Sequence, residues 1–416
     1  MAAPSSKDNW QCCYYDIQAS IISSSGEITE LRPSQITSLM IERDYDTDHL
    51  PVILISLSLQ NDIDVESDTS IHLKIDKIIG KEDKGIVQVM KKSAYLNEIM
   101  SFVILDDTPT SSYFENILYS KQERKEGDYL LQDASSSQTY ILVQKDSMKA
   151  SKKILNCVLK KATMTAATAM LLSNAECKNV LMANFDNIEE YEELIIPPLP
   201  LLESINYLRN LYGFHKEDTT IFMDIGTTYI IRKDGLCTAF RNREQTNVDI
   251  CLNGYESPYD QCRGVIYSGN TTYVNVGSDQ FMRMVGGTLT DQTEGTNVLL
   301  YDEKETTTSV VSTENDRTLN GKNTAVKTVT GHNKFIASQI ECRKIENQYV
   351  FTLGCSNADI SVFTPNKQFS IISNCAEIAI DVTGKYRLSR HVTTFVKNGD
   401  YFTPISNLTL KKTKVS

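Results

Sequence analysis

The sequence predicts a mainly β chain of barrel or sandwich type that carries an α/β insertion. Short β-branched segments separated by Ser, Asp, Gly and Pro run from about residue 10 to 115. From 116 to about 200 the composition shifts towards Ala, Lys, Leu and Met, with apolar residues three and four apart. Beyond 263, five- to eight-residue apolar segments return, punctuated by Gly, Asn, Asp and Lys, without a fixed repeat period.

In chain order, CCYYDIQASII, TSLMIERDY, PVILISLSLQ, SIHLKIDKII and EIMSFVILDD read as the first strands. Within PVILISLSLQ, Ile53, Ile55, Leu57 and Leu59 form a wholly apolar face, whereas Val52, Leu54, Ser56 and Ser58 form a mixed one. ERDYDTDHLP, acidic and closed by a proline, reads as a connection. TYILVQ is a further strand.

Leu155, Val158, Leu159, Ala162, Ala166, Ala169 and Met170 then predict one or two amphipathic helices over KASKKILNCVLKKATMTAATAMLLSNA. Pro197, Pro198 and Pro200 enforce an extended entry to a helix from about Leu202 to Leu211, with Ile205, Leu208 and Leu211 as its buried stripe and Gly213 as its stop. The second half reads as strands throughout, among them TYVNVG, QYVFTLGC, ADISVF, KQFSIIS, YRLSRHVTTFVKN and YFTPISNLTLKK.

Composition narrows the function. With 42 Lys+Arg against 53 Asp+Glu, the net charge of -11 opposes a protein wrapped on nucleic acid, where cations must neutralise phosphates. No run of apolar residues is long enough to span a bilayer, and the polar N-terminus lacks a secretory signal pattern, which predicts synthesis on the cytosolic side and no membrane insertion. The ten cysteines are scattered and form no C-x-x-C pair, so they read as reduced, mostly buried thiols. His49, His72, His215, His332 and His391 show no metal-ligand spacing.

The sharpest candidate for chemistry is TTIFMDIGTTYIIRKDG. Asp224, Gly226 and Thr227 follow an apolar strand as in the phosphate hairpin of actin-fold sugar kinases, where an aspartate holds a metal-bound water and backbone amides cradle phosphate. That fold also needs a second Asp-Gly turn and a helix-flanked Gly-Gly loop, yet Met284-Val285-Gly286-Gly287 lies among strands. The reading preferred here is a structural hairpin with Gly226 at the turn and Asp224 facing solvent or capping that turn. Asp106-Asp107 and Glu192-Glu193 are sequence neighbours and make poor acid–base pairs. No catalytic, cofactor-binding or metal-binding residue is therefore assigned, and no cofactor is expected.

The order of these segments resembles the hub proteins of bacteriophage tail baseplates, the family that includes the trimeric hub of contractile tails. The resemblance rests on Ile22 to Ile28, Ile41 to Pro51, Ile205-Asn206-Tyr207-Leu208, Tyr212-Gly213, Ile221-Phe222-Met223-Asp224 and Thr228-Tyr229-Ile230-Ile231. It implies two similar β-barrels, from 1–115 plus 201–262 and from 263–416, with 116–200 as a peripheral α/β insertion.

It further implies a non-enzymatic virion protein of the tail baseplate, a homotrimer whose six barrels mate with a hexameric tail tube or its initiator. Its other partners would be a central spike and further baseplate proteins, while genomic DNA passes through without specific binding. The alternatives are another tail-tip or tube-initiating adaptor, a glycan-binding or wall-degrading tail protein, and the kinase-like ATPase built on Asp224, Gly226 and Thr227.

Overall fold

In the computed structural model the described residues are 12–46, 50–58, 68–83, 86–103, 137–216, 218–224, 226–233, 247–253, 265–268, 271–277, 281–285, 297–301, 308–312, 349–365, 367–373 and 384–413. The first seven strands are β1 (Cys12–Ile22), β2 (Ile28–Leu31), β3 (Ile36–Asp44), β4 (Val52–Ser58), β5 (Ser70–Asp83), β6 (Ile86–Phe102) and β7 (Ser137–Gln144). Next come α1 (Lys145–Ser151), β8 (Ile154–Thr163), α2 (Met164–Asn174), β9 (Asn179–Met182), β10 (Glu190–Pro200), α3 (Leu201–Tyr212), β11 (Thr219–Asp224) and β12 (Thr227–Arg232). The rest are β13 (Asn247–Asn253), β14 (Val265–Ser268), β15 (Thr271–Gly277), β16 (Phe281–Val285), β17 (Asn297–Tyr301), β18 (Thr308–Ser312), β19 (Tyr349–Ser356), β20 (Phe369–Ser373), β21 (Lys385–Asn398) and β22 (Tyr401–Lys412).

The order β21-β3-β4-β7-β6-β5-β1-β22 returns on itself through the β21–β22 pair, so eight antiparallel strands close a barrel. Alternation along each strand fills the inside. Tyr15 and Ile17 on β1, Leu39 and Ile41 on β3, Ile53 and Ile55 on β4, and Ile71, Leu73 and Ile75 on β5 are all buried in one cluster. Eight strands leave an interior just wide enough for such side chains, so the barrel is solid. The predicted apolar face of β4 is the one that points inwards, with Ile55 and Leu57 fully buried.

The mainly β class with few helices is as predicted. The barrel takes β7 from within 116–200, and β21 and β22 from within 263–416. Closure explains this, because the exposed edges of β1 and β3 demand partners and the C-terminal hairpin supplies both of them. Parts of the segment expected to form a second barrel, including 286–296 and 313–348, lie outside the described residues, as does Asp106-Asp107.

A second core forms where α2 and α3 pack on the ribbon of β8 and β10 and on one face of β11 and β12. The α3 helix runs as predicted into Gly213, whose φ of 71° ends it while its N–H returns to the Arg209 carbonyl. Three sequence readings change. KKILNCVLKK, expected to be helical, is strand β8 in register with β10. Its buried Leu155 and partly buried Leu159 are four apart, a spacing that satisfies a strand face as well as a helix face, and pairing with β10 decides between them. Leu211 is 47% exposed rather than buried, and Leu201 and Leu202 take its place in the α3 core stripe. ADISVF is a 3-10 turn at Ile360–Val362 rather than a strand, because the Asp359 side chain accepts from the Ser361 N–H and caps it. No helix among the described residues is long and apolar enough to cross a membrane.

Gly226 tests the hairpin directly. It sits between β11 and β12 with φ 71°, and a Cβ there would meet Gln144 Nε2 at an unstrained 3.6 Å. Gly226→Ala is expected to cost about 1 kcal/mol, through backbone conformation alone. Urea denaturation measures it, and a neutral result would show that the turn relaxes.

Candidate functional site

The hairpin β11–β12, joined in parallel by β9, forms a small sheet between the barrel and the helical core. Its two faces divide by strand alternation. Ile221, Met223 and Ile230 belong to the helical core, whereas Phe222 and Ile231 belong to the barrel core, with Tyr229 packed against it. Phe222 stacks on Tyr229 with centroids 4.7 Å apart and meets the Tyr45 ring edge-on, also at 4.7 Å.

Asp224 lies on this barrel-facing side. Arg43, on the same side of β3 as the inward-facing Leu39 and Ile41, donates its Nε–H to both Asp224 carboxylate oxygens at 3.0 and 2.9 Å. Its Nη2 donates to the Tyr95 hydroxyl at 3.1 Å. Arg43 is only 4% exposed and Asp224 12%. Burial works against the Arg43 charge, but Asp224 outweighs it and holds the guanidinium charged. Burial, then the Asp224 charge, pushes the Tyr229 hydroxyl up to about 12. The Tyr45 hydroxyl rises for the same two reasons.

The expectation that Asp224 faces solvent or caps its turn is therefore corrected: it points into the junction and ties the hairpin to the barrel. Register supplies the reason, since Asp224 alternates with Met223 and shares the side of Phe222 that meets Arg43. An aspartate clamped this way has both oxygens engaged by a guanidinium. That is the opposite of the open, water-binding aspartate a phosphate hairpin requires.

A second polar node gathers around Asp46. Asp46 accepts from Arg387 Nη1, from the Ser389 hydroxyl and from Lys411 Nζ, each at 2.6 Å. Lys233, just after β12, approaches Asp46 at 4.0 Å and pairs with buried Asp218 at 2.7 Å. Burial alone would raise the Asp46 carboxyl, but Arg387, Lys233 and Lys411 hold it far below the usual range. The connection ERDYDTDHLP thus anchors barrel strands β21 and β22. Only the tertiary fold identifies Asp46 among the neighbouring acids, because its partners lie more than 180 residues away in sequence.

A third node joins β1 and β5 to the 3-10 turn. Lys77 pairs with Asp359 at 2.7 Å, and the Ile360 N–H donates to the Tyr15 hydroxyl at 3.1 Å. Buried His391 contacts the Thr393 hydroxyl at 2.7 Å and the Ser406 hydroxyl at 3.3 Å, and sits across from Arg43 in the ladder. Burial, and then the Arg43 charge, depress its pKa. Among the described residues no group of three His, Cys, Asp or Glu is placed to hold a metal. Cys157, Cys177, Cys251 and Cys355 are free thiols. Glu192 and Glu193 lie on adjacent positions of β10, where alternation sends them to opposite faces, and Glu193 stands opposite Lys160 in the ladder.

These nodes are structural in kind: charges are matched across elements, and no open constellation of nucleophile and base appears at them. A family model described as the bacteriophage PBS1 gene 109 protein matches residues 11–413. The chain belongs to that family.

A tail protein from Neisseria meningitidis MC58 shares the fold of this phage protein at 9% identity, with a TM-score of 0.52 over 95% of this chain and 97% of that one. The 43 kDa tail protein of prophage MuSo2 from Shewanella oneidensis gives 9% identity and 0.49 over 94% and 97%. A type VI secretion component of E. coli gives 7% identity and 0.42 over 98% and 76%. No curated protein sequence matches the chain. The resemblance to phage tail proteins drawn from the sequence stands, and the chain is a phage protein with a tail-protein barrel fold.

Two predictions follow from the junction. Asp224→Ala leaves Arg43 buried without its counter-ion and is expected to cost about 3 kcal/mol or more in denaturant unfolding; a loss under about 1 kcal/mol would mean that water reaches the guanidinium. His391 sets a pH response. Its folded pKa lies below its unfolded value of about 6.5, so the unfolded chain binds more protons and stability falls as pH drops from about 6.5. His391→Gln is expected to flatten the urea midpoint between pH 6.5 and 5, while the carboxylate-driven loss at lower pH persists. An unchanged slope would assign that window to other groups.

Proposed function

We propose that this chain is a structural hub of a phage tail, a homotrimer that joins the hexameric tail tube or its initiator to a central spike. The observation that carries the reading is a solid, closed barrel in a phage-family chain whose fold runs over 95% of its length with a tail protein. In this reading the chain is a non-enzymatic component of the virion, and its work is done at interfaces. The domain plan that goes with it is two similar barrels per chain, the first built on 1–115 with β7 and the C-terminal hairpin and the second within 263–416, with the rest of 116–200 peripheral.

The packed barrel bears on the path of DNA. Side chains fill the eight-stranded interior, so any passage lies on the axis between copies and not through a barrel. A net charge of -11 suits a wall along which DNA slides without sticking. Other baseplate proteins would meet the outer surface.

Copy number in purified particles, from quantitative mass spectrometry or axial imaging, tests this. Three copies on the tail axis are expected; six would indicate a tube or adaptor protein instead. ATP with magnesium is expected to leave the melting temperature unchanged, in wild type and in Asp224→Asn alike. A rise that the substitution abolishes would revive the kinase-like reading.

A further inference from the structure

The β8–β10 ribbon stands apart from the remaining β structure. Among the described residues these strands pair only with each other, so each keeps one open backbone edge. One face of the ribbon is buried through Leu155, Leu194 and Ile196 in the helical core. The opposite face is open and carries exposed apolar side chains, with Ile154 68% exposed, Val158 56% and Ile195 58%, alongside polar Asn156, Lys160 and Glu193. Val158 and Ile195 are direct cross-strand neighbours.

Charge on the ribbon is segregated by strand. β8 ends in exposed Lys160 and Lys161, whereas β10 begins with exposed Glu190, Glu192 and Glu193. Lys160 stands opposite Glu193 in the ladder. Open strand edges are templates for further pairing, and natural proteins cover or blunt them. Here one edge is basic and the other acidic. β8 against β8 would set lysines together, and β10 against β10 would set glutamates together. Only β8 of one copy against β10 of another places opposite charges side by side. Pro197, Pro198 and Pro200 lack the N–H that added strands need, which confines pairing to the first part of β10.

We propose that the β8–β10 ribbon is a self-association surface, on which the β8 edge of one copy adds to the β10 edge of a second copy. Val158 of one copy then sits beside Ile195 of the next, with Lys160 beside Glu193. Such a contact uses two different patches per copy, so it propagates around an axis until it closes into a ring. The proposal deepens the hub reading and rests on it only for the number of copies in that ring.

Native mass spectrometry and light scattering of the full chain test it, with four proteins: wild type, Lys160→Glu, Glu193→Lys and the double variant. Both positions are exposed, and unchanged melting temperatures would confirm that the variants fold. Wild type is expected to associate, each single variant to need at least about tenfold more protein to do so, and the double variant to recover. Mixing the two single variants in equal amounts is also expected to restore association, in pairs or even-numbered assemblies where unlike variants alternate, which an ion pair within one chain cannot do. A monomeric wild type, single variants that associate like wild type, or a mixture that stays monomeric would each overturn the proposal.

The two readings fail separately. Three copies in the particle with inert charge swaps leave the hub and remove the ribbon. Six copies with responsive swaps do the reverse.

Discussion

Closure of the barrel is the constraint on which the other features depend. A sheet of eight strands has edges unless its ends meet, and here they meet only because the C-terminal hairpin enters between β1 and β3. The N-terminal half of the chain therefore cannot complete its core without residues 385–412. That long-range requirement makes folding depend on contacts of high sequence separation, which form late and slowly. Once closed, the barrel has no free edge and its inside is packed, which suits a rigid structural part.

The polar nodes act at places where this closed unit meets its additions. Arg43 and Asp224 bind the small sheet to the barrel, Asp46 gathers cations from β21 and β22 together with Lys233, and Lys77 with Asp359 holds the 3-10 turn. Buried pairs of this kind add little net stability over apolar packing, because desolvation offsets their attraction. They penalise wrong docking instead, since any misplacement strands a charge in a dry site. A role in specifying one arrangement of barrel, sheet and helices is consistent with their distribution along three separate seams.

Parts of this were legible in the sequence. The alternation in PVILISLSLQ placed Ile53, Ile55 and Leu57 inside, and the helix stop at Gly213 and the turn at Gly226 followed from local backbone rules. The ribbon strand KKILNCVLKK was not, because residues four apart lie on one face in both helix and strand. Nor was the orientation of Asp224. Its neighbours in sequence read as a structural hairpin with Asp224 facing solvent or capping the turn, while its partner Arg43 lies 181 residues earlier.

By itself, then, the sequence determined the short-range features: β-rich periodicity, one helix stopped at a glycine, a glycine-centred hairpin, an acidic balance and an order of segments typical of tail proteins. Local φ/ψ preference and side-chain alternation act over a few residues, and a sequence displays them directly. Which strands pair, which charges meet and which edges stay open were decided only in three dimensions. Those outcomes depend on closing a ring and on matching buried charges across more than a hundred residues, and no local pattern encodes either.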